Sequence, residues 1–289
     1  MQDTKPTVAI IAQGSMGAAV ATRLTEHGVR VVTSLEGRSA ASAKRAAAAG
    51  MTPVSETEIA ATDFVLSIVP PGEAQPLADR LKPALQAANR KPVYVDCNAV
   101  SPETAKGIAA TIAATDSPFA DGGIIGGPPR AGYNGPSIYV SGPDSGRVET
   151  LNQYGLRIRG MGGAVGDASA LKMSYAGLTK GLIALGTAMV LAAERNGVGD
   201  ALRAELAESQ VPMLTQLTRG VPDMFGKAYR WVAELEEIAR YAGPGSESQI
   251  YQGIAGLYER VAEDFEGRKA EVNQLAGFFE KAASAKKQS

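Results

Sequence analysis

The 289-residue chain contains 1 His, His27, and 1 Cys, Cys97. A zinc site built from His and Cys needs three or four such ligands, so one chain cannot supply it, and no metal is expected. A disulfide framework within one chain is excluded for the same reason. A His-based triad or proton relay would have to run through His27. If the chain is an enzyme, another residue type carries its proton. Charge is also without excess, since 29 Lys and Arg face 30 Asp and Glu for a formal net charge of −1. That argues against nucleic acid as the main partner, which calls for a clustered basic face. Long apolar runs are missing too. Val8 to Ala12 is too short for the apolar region of a signal peptide. Gly181 to Ala193, the longest stretch, is too short to cross a bilayer and reads as a buried helix. The expectation is a soluble cytoplasmic protein with no membrane partner.

Small residues are plentiful. The 33 Gly and a heavy load of Ala allow close packing and close approach of backbone to ligands. A hydrophobic content of 45% can fill one or two ordinary cores, and the length suggests about two domains.

The first half alternates short β-branched runs with Ala-rich helical stretches. The runs are Val8–Ala12, Val29–Thr33, Phe64–Val69, Val93–Asp96 and Ser137–Val140. The helical stretches are Ala18–Glu26, Ala40–Ala49, Glu73–Ala88 and Pro102–Ala114. This alternation predicts a parallel sheet covered by helices. The character changes near Gly160. Asp167 to Asn196 carries helical periodicity for about eight turns, and Gly197 and Gly199 stop it. Helices are predicted over Ala201–Arg219, Pro222–Tyr241, Ser246–Gly267 and Lys269–Ala285. The α/β domain is thus expected over 1–165 and an all-α domain over 166–289, joined by one long helix.

Val8 to Gly17 reads as a strand, a turn containing Gly14-Ser15-Met16-Gly17, and a helix. A helix N-terminus offers free N–H groups and a favourable dipole to a dinucleotide pyrophosphate. Gly14 lets the backbone approach the phosphates and Gly17 lets the helix pack on the strand. Ala12 stands where the full G-x-G-x-x-G pattern has its first glycine. The second strand ends in Thr33-Ser34, without the acid that usually accepts from the ribose hydroxyls of NAD. Ser34, Arg38 and Ser39 instead suit a 2′-phosphate, which favours NADP over NAD, although Glu36 sits among them.

Lys172 lies near the start of the long helix, on one face with Ser169, Tyr175, Ala176 and Thr179. A lysine in an apolar cleft is a workable general acid or base. A solvent-reaching lysine is by far the commoner fate, and the pattern alone favours it. Ser169 to Lys172 also matches the S-x-x-K motif of penicillin-recognising acyl transferases. The partner motifs S-D-N and K-T-G are absent from the sequence.

Five segments in order resemble the β-hydroxyacid dehydrogenase family, which includes 3-hydroxyisobutyrate and 6-phosphogluconate dehydrogenases. They are Gly14–Gly17, Val69-Pro70-Pro71, Asp96–Pro102, Asp121–Gly127 and Gly166–Lys172. Met173–Asn196 and Trp231–Ala239 resemble a branch with a phosphogluconate-dehydrogenase-like C-terminal domain. The resemblance implies an N-terminal Rossmann domain and a helical C-terminal domain that also pairs subunits into a homodimer or tetramer. It implies that Lys172 exchanges a proton with a small-molecule hydroxyl or carbonyl substrate as hydride passes to or from the nicotinamide. Val69, Pro70 and Pro71 would pass beside the nicotinamide ribose. Asn98 and Ser101 would position nicotinamide or substrate, and the N–H groups of Gly126 and Gly127 would grip a polar substrate end. Departures are as informative. Ala176 stands where the family has an Asn four residues after the lysine, and Tyr175, just before it, could replace its hydrogen bond. Ile125 replaces a substrate-loop Ser, and Glu236-Glu237 a Lys-Asp pair. Ile124 and Ile125 point to a bulkier or less polar substrate, and Trp231 is a candidate wall of the substrate site. An imine or enamine reductase on the same scaffold, and a protein that senses NADP without chemistry, are the competing readings. His27 is expected to cap a helix end, and Cys97 to be a packing residue.

Overall fold

The computed structural model describes residues 5–11, 13–129, 133 and 135–285. Ala12, Met1–Thr4 and the tail 286–289 lie outside the described residues.

The β-branched runs form the middle of one eight-stranded sheet. Its strands are β1 (Thr7–Ile11), β2 (Arg30–Thr33), β3 (Thr52–Pro53), β4 (Phe64–Ser67), β5 (Val93–Asp96), β6 (Phe119–Ile125), β7 (Ser137–Ser141) and β8 (Ile158–Gly162). Their spatial order is β3-β2-β1-β4-β5-β6-β7-β8. The first six are parallel, in the order of a dinucleotide-binding doubly wound sheet, which reverses between β1 and β4. The all-parallel expectation fails at one edge, because β7 pairs antiparallel with β6. Three strands were not among the expected runs. Two-residue β3 is too short for a pattern, and β6 and β8 carry glycines, which the β-branched signal excludes.

Alternation along the central strands feeds two apolar layers. Val8 and Ile10 of β1, with Val31, Leu66 and Val95, pack with Val20 and Leu24 of α1 (Ser15–Glu26). Ala9 and Ile11, with Val65 and Tyr94, pack with Leu77, Leu81 and Leu85 of α4 (Ala74–Ala87) and Ile108 of α5 (Pro102–Ala113). Between these helices lie α2 (Ala40–Ala48) and the five-residue α3 (Glu56–Ala60), and α6 (Ser145–Val148) follows β7. The strands are thereby covered on both faces, which explains their near-continuous apolar character.

α7 (Asp167–Arg195) begins in this first compact unit, residues 1–173, and continues into the second, residues 174–289. The expected boundary at 165/166 falls in the turn that enters α7. Around the 13-residue apolar stretch the helix extends to 29 residues, with a most apolar window of mean hydropathy 1.6. By length and composition alone it could cross a membrane, so the sequence argument from the short stretch does not hold. Ala176, Ala184, Thr187, Val190 and Leu191 of this helix are buried within the protein, while Leu178, Leu185 and Met189 are exposed.

The second unit continues with α8 (Gly199–Ser209), α9 (Val211–Met224), α10 (Ala228–Ala242), α11 (Ser246–Glu266) and α12 (Ala270–Ala285). The single helix expected over 201–219 is broken at Gln210, and Pro212 in the first turn of α9 marks the restart. Pro222 sits inside α9 instead of opening the next helix. Within this unit Lys180 is buried and paired with Glu234 at 2.5 Å, with its amine 5.2 Å from the centre of the Trp231 ring. Trp231 in turn meets Tyr258 edge-on at 5.3 Å, and the Tyr258 hydroxyl donates to the Lys180 carbonyl at 2.7 Å.

Candidate active site

In a parallel α/β sheet, ligands meet the carboxyl ends of the strands. β1 delivers Gly14 there. Gly14 is the N-cap of α1 and makes no side-chain cap, so the first-turn N–H groups are left to an outside acceptor. A Cβ on Gly14 would meet nothing within 4 Å, which leaves open space over the turn. Ser15 is exposed, Met16 packs against the core, and Gly17 is buried in α1. This loop fits a pyrophosphate, a property of its backbone and not of any side chain.

Ser34 is buried at the end of β2, and its carbonyl accepts from the Gln13 amide at 2.7 Å. Ser39 caps α2, accepting from Ser42 N. Arg38 lies half-buried beside it. Arg45, which sequence reasoning missed, donates from Nε to the Gln13 carbonyl at 2.8 Å and from Nη2 to Ser42 Oγ at 3.0 Å. The loop after β1 is thus stapled to α2 by a cation that also borders the Ser39 and Ser42 hydroxyls. Its only sequence signal was its place two turns into the second helix.

Asn98 staples the ends of β4 and β5. Its Oδ1 accepts from Val69 N at 2.6 Å, and its Nδ2 donates to Ser67 Oγ at 2.8 Å and to Asp96 Oδ1. Ser101 caps α5 by accepting from Thr104 N. Both are buried, so among the described contacts they shape the Val69-Pro70-Pro71 turn and the helix start. Val69 is buried, Pro70 is exposed, and Pro71 opens a single 3₁₀ turn.

β6 carries Asp121-Gly122-Gly123-Ile124-Ile125 and is followed by Gly126. Gly126 has φ +119°, a conformation that favours glycine, and a Cβ there would lie 2.5 Å from the Tyr133 hydroxyl. Tyr133 is a second neighbour of the candidate site without a sequence signal. Nothing lies within 4 Å of a Cβ placed on Gly127. Ile125 is half-buried, whereas Ile124 is buried in the sheet core and cannot line a substrate site. That removes half of the argument for an apolar substrate.

The first turn of α7 docks on this strand. A Cβ on Gly123 would fall 2.7 Å from the Ala168 carbonyl oxygen and 3.1 Å from Lys172 Cβ, so only glycine lets the helix lie this close. Lys172 is half-buried at that contact. Ser169 and Ala176 are buried while Tyr175 is 49% exposed, so the residues expected on one face divide between interior and surface. Trp231 is held by Lys180 and Tyr258 as described, and Glu237 is buried and paired with Arg240. His27 is the C-cap of α1, with Nδ1 2.8 Å from the Arg23 carbonyl. Cys97 is buried, and burial beside Asp96 and Asp121 pushes its thiol up, which makes it inert packing.

Asp96 and Asp121 are register partners on adjacent strands, and both are fully buried. Loss of water, then the charge of Asp121, push the Asp96 carboxyl up to about 8, against the opposing hydrogen bond from Asn98. Asp96 therefore sits as a neutral acid at pH 7, one strand away from Asp121.

Strand order, uncapped glycine turn and open space over it define a dinucleotide-binding oxidoreductase fold. The model for the NAD-binding domain of 6-phosphogluconate dehydrogenase matches residues 7–154, and the chain belongs to that family of NAD(P)-dependent oxidoreductases. A domain of unknown function (DUF1932) matches residues 193–261. Among solved structures, a conserved protein of unknown function, described as structurally similar to 3-hydroxyacid dehydrogenases, is 30% identical. The alignment covers 93% of this chain and 99% of that one, with a TM-score of 0.68. Two more distant structures share the fold. The 3-hydroxyisobutyrate dehydrogenase of Mycobacterium tuberculosis, solved with L-serine, is 17% identical over 96% of this chain and 99% of its own, with a TM-score of 0.65. An imine reductase of Myxococcus stipitatus, in complex with NADP⁺, is 18% identical over 90% and 94%, with a TM-score of 0.54.

The raised carboxyl of Asp96 fixes the sign of a pH effect. Between pH 4 and pH 8 the folded domain holds a proton that the unfolded chain has released. Stability from this group is complete below about pH 4 and is lost as pH rises toward 8. Denaturant midpoints of the wild type should fall across that window, and Asp96→Asn should flatten the slope. An unchanged slope in Asp96→Asn would place the titrating group elsewhere.

Proposed function

We propose that the chain is an NADP-dependent dehydrogenase or reductase for a β-hydroxy acid or a related alcohol–carbonyl pair, with Lys172 as general acid and base. One observation carries the reading: Lys172 packs its Cβ against Gly123 of the glycine strand β6, whose end lies at the same edge of the sheet as the Gly14 turn. The nicotinamide, when bound, supplies or accepts the hydride. Lys172 Nζ takes the proton of the substrate hydroxyl while the carbon–hydrogen bond breaks, which leaves a carbonyl. In the reverse direction the ammonium returns that proton to the developing alkoxide. Gly126 and Gly127 present backbone N–H groups to a polar end of the substrate, and the Tyr175 hydroxyl is a second proton donor. Ser34, Arg38 and Ser39 hold the 2′-phosphate of NADP, with Arg45 fixing the loop beneath.

An imine reductase remains the second reading because such an enzyme shares the fold. A lysine at the docking point favours alcohol–carbonyl chemistry, since an iminium substrate gains nothing from a cation beside it.

A homodimer or tetramer through the helical domain completes the proposal, in a soluble cytoplasmic enzyme. Tyr175, Leu178, Leu182, Leu185 and Met189 recur on α7 at alternating spacings of three and four, which makes one continuous stripe. Leu178, Leu185 and Met189 are 75%, 60% and 59% exposed in the single chain. A second copy of the same stripe would cover them.

Lys172→Met should lower turnover of 3-hydroxy acids by about 10²–10⁴-fold while NADPH still quenches protein fluorescence on binding. Wild-type turnover in that variant would remove Lys172 from the mechanism. Arg38→Ala should weaken NADPH about tenfold or more and leave NADH nearly unchanged; equal losses would refute the 2′-phosphate assignment. Leu185→Glu should shift sedimentation toward the monomer, whereas an unaltered profile would place the interface off this stripe.

A further inference from the structure

We infer that Asp121, acting with Ser141 and Ser169, is the positioning group for Lys172; this rests on the reading of Lys172 as the acid and base. A helix begins with N–H groups that have no partner inside the helix. In α7 the neighbouring sheet supplies most of the partners. Asp121 Oδ2 accepts from Gly166 N at 2.9 Å and Ser169 N at 3.0 Å, and Oδ1 accepts from Ser169 Oγ at 2.6 Å. Ser141 Oγ, from β7, donates to Asp121 Oδ2 at 3.1 Å and accepts from Ala168 N at 3.0 Å. Asp121, Ser141 and Ser169 are all buried.

Ser39 and Ser55, which cap α2 and α3, sit just before their helices and are exposed. At α7 the Asp167 side chain closes only the preceding turn, accepting from Ala164 N at 2.9 Å upstream of the helix. A cap that buries a carboxylate carries a desolvation cost that initiation alone does not require. What it adds is register. Two oxygens on β6 and one on β7 grip Gly166, Ala168 and Ser169 within one turn, and this fixes both the rotation of α7 and its height along the strand. Lys172 follows Ser169 by three residues, less than one turn. Gly123, two residues after Asp121 and therefore on the same face of β6, receives its Cβ. Charge sign agrees, because an anion at the helix N-terminus is stabilised by the dipole. Asp121 touches none of the reacting atoms; it sets where the amine stands.

The test compares Asp121→Asn, Ser169→Ala and Ser141→Ala with the wild type and Lys172→Met. Asparagine keeps the shape of Asp121 but turns a carboxylate oxygen toward its donors into an amide NH₂. Positioning predicts that kcat falls about 10- to 100-fold in Asp121→Asn and less in the serine variants. KM and the NADPH dissociation constant should stay within about twofold, with the limb of the pH–rate profile that vanishes in Lys172→Met displaced. A readout without substrate is the acetylation rate of Lys172 by acetic anhydride, taken against exposed Lys44 by mass spectrometry; it should change severalfold in the same variants. If Asp121→Asn does not fold, the two serine variants carry the test, since each removes one oxygen. Variants that melt earlier yet keep the wild-type kcat, pH profile and Lys172 labelling would show a cap alone and overturn the proposal. Wild-type turnover in Lys172→Met would instead overturn the reading beneath it, and the two failures are distinct.

Discussion

The buried carboxylate of Asp121 is where the sheet, its antiparallel edge and the longest helix meet. It draws donors from β7 and from the first turn of α7 while it stands beside Asp96 on β5. A buried anion is tolerated only where hydrogen bonds replace its water, and four do so here. Burial first, and the charge of Asp121 second, push the neighbouring Asp96 carboxyl up toward its neutral form. The two glycines that follow it have no side chains to block the approach. A Cβ on Gly122 would lie 2.9 Å from the Asp96 carbonyl oxygen, and one on Gly123 would strike α7. Acid and glycines form a single device, the acid supplying attraction and the glycines supplying room.

Much of the nucleotide half was legible in the sequence. The β-branched runs that became β1, β2, β4 and β5 are buried on both faces and read as strands without ambiguity. The Gly14–Gly17 turn was legible because its chemistry lies in backbone N–H groups and missing side chains, which composition reports directly. β6 was visible as a motif but not as a strand, because two glycines and an aspartate in its middle defeat β propensity. Contact energy from the docked helix outweighs that local preference. Arg45 and the Asp121–Ser169 bond escaped for another reason. Their partners lie 32 and 48 residues away, and periodicity carries no signal over such separations. Asn98 and Ser101 drew notice as candidate ligand contacts, and their described bonds hold the chain to itself. Ile124 and Ile125 together pointed to a less polar substrate, and only the neighbours that place Ile124 in the sheet core tell the two apart.

The helical unit has its own buried charges. Lys180 and Glu234 lose water together, and the Trp231 face and the Tyr258 bond to the Lys180 backbone enclose them. Such pairs contribute little net stability against an apolar replacement, but removal of one partner is costly because the other charge is stranded. Trp231 is thereby committed to packing on one side, which limits how much of its ring a substrate could meet. A lone aromatic among few is a tempting candidate ligand wall; the surrounding charges are what decide its use.

Neutral Asp96 has a thermodynamic corollary. When the domain unfolds near pH 7, this carboxyl regains water and releases its proton to the solution. Heat absorbed in a calorimeter then includes the enthalpy with which the buffer takes that proton up. Melting curves recorded in phosphate and in an amine buffer at one pH would differ in enthalpy while the fold and its contacts stay the same. The interior of this sheet thus leaves a chemical trace in the solvent each time it opens.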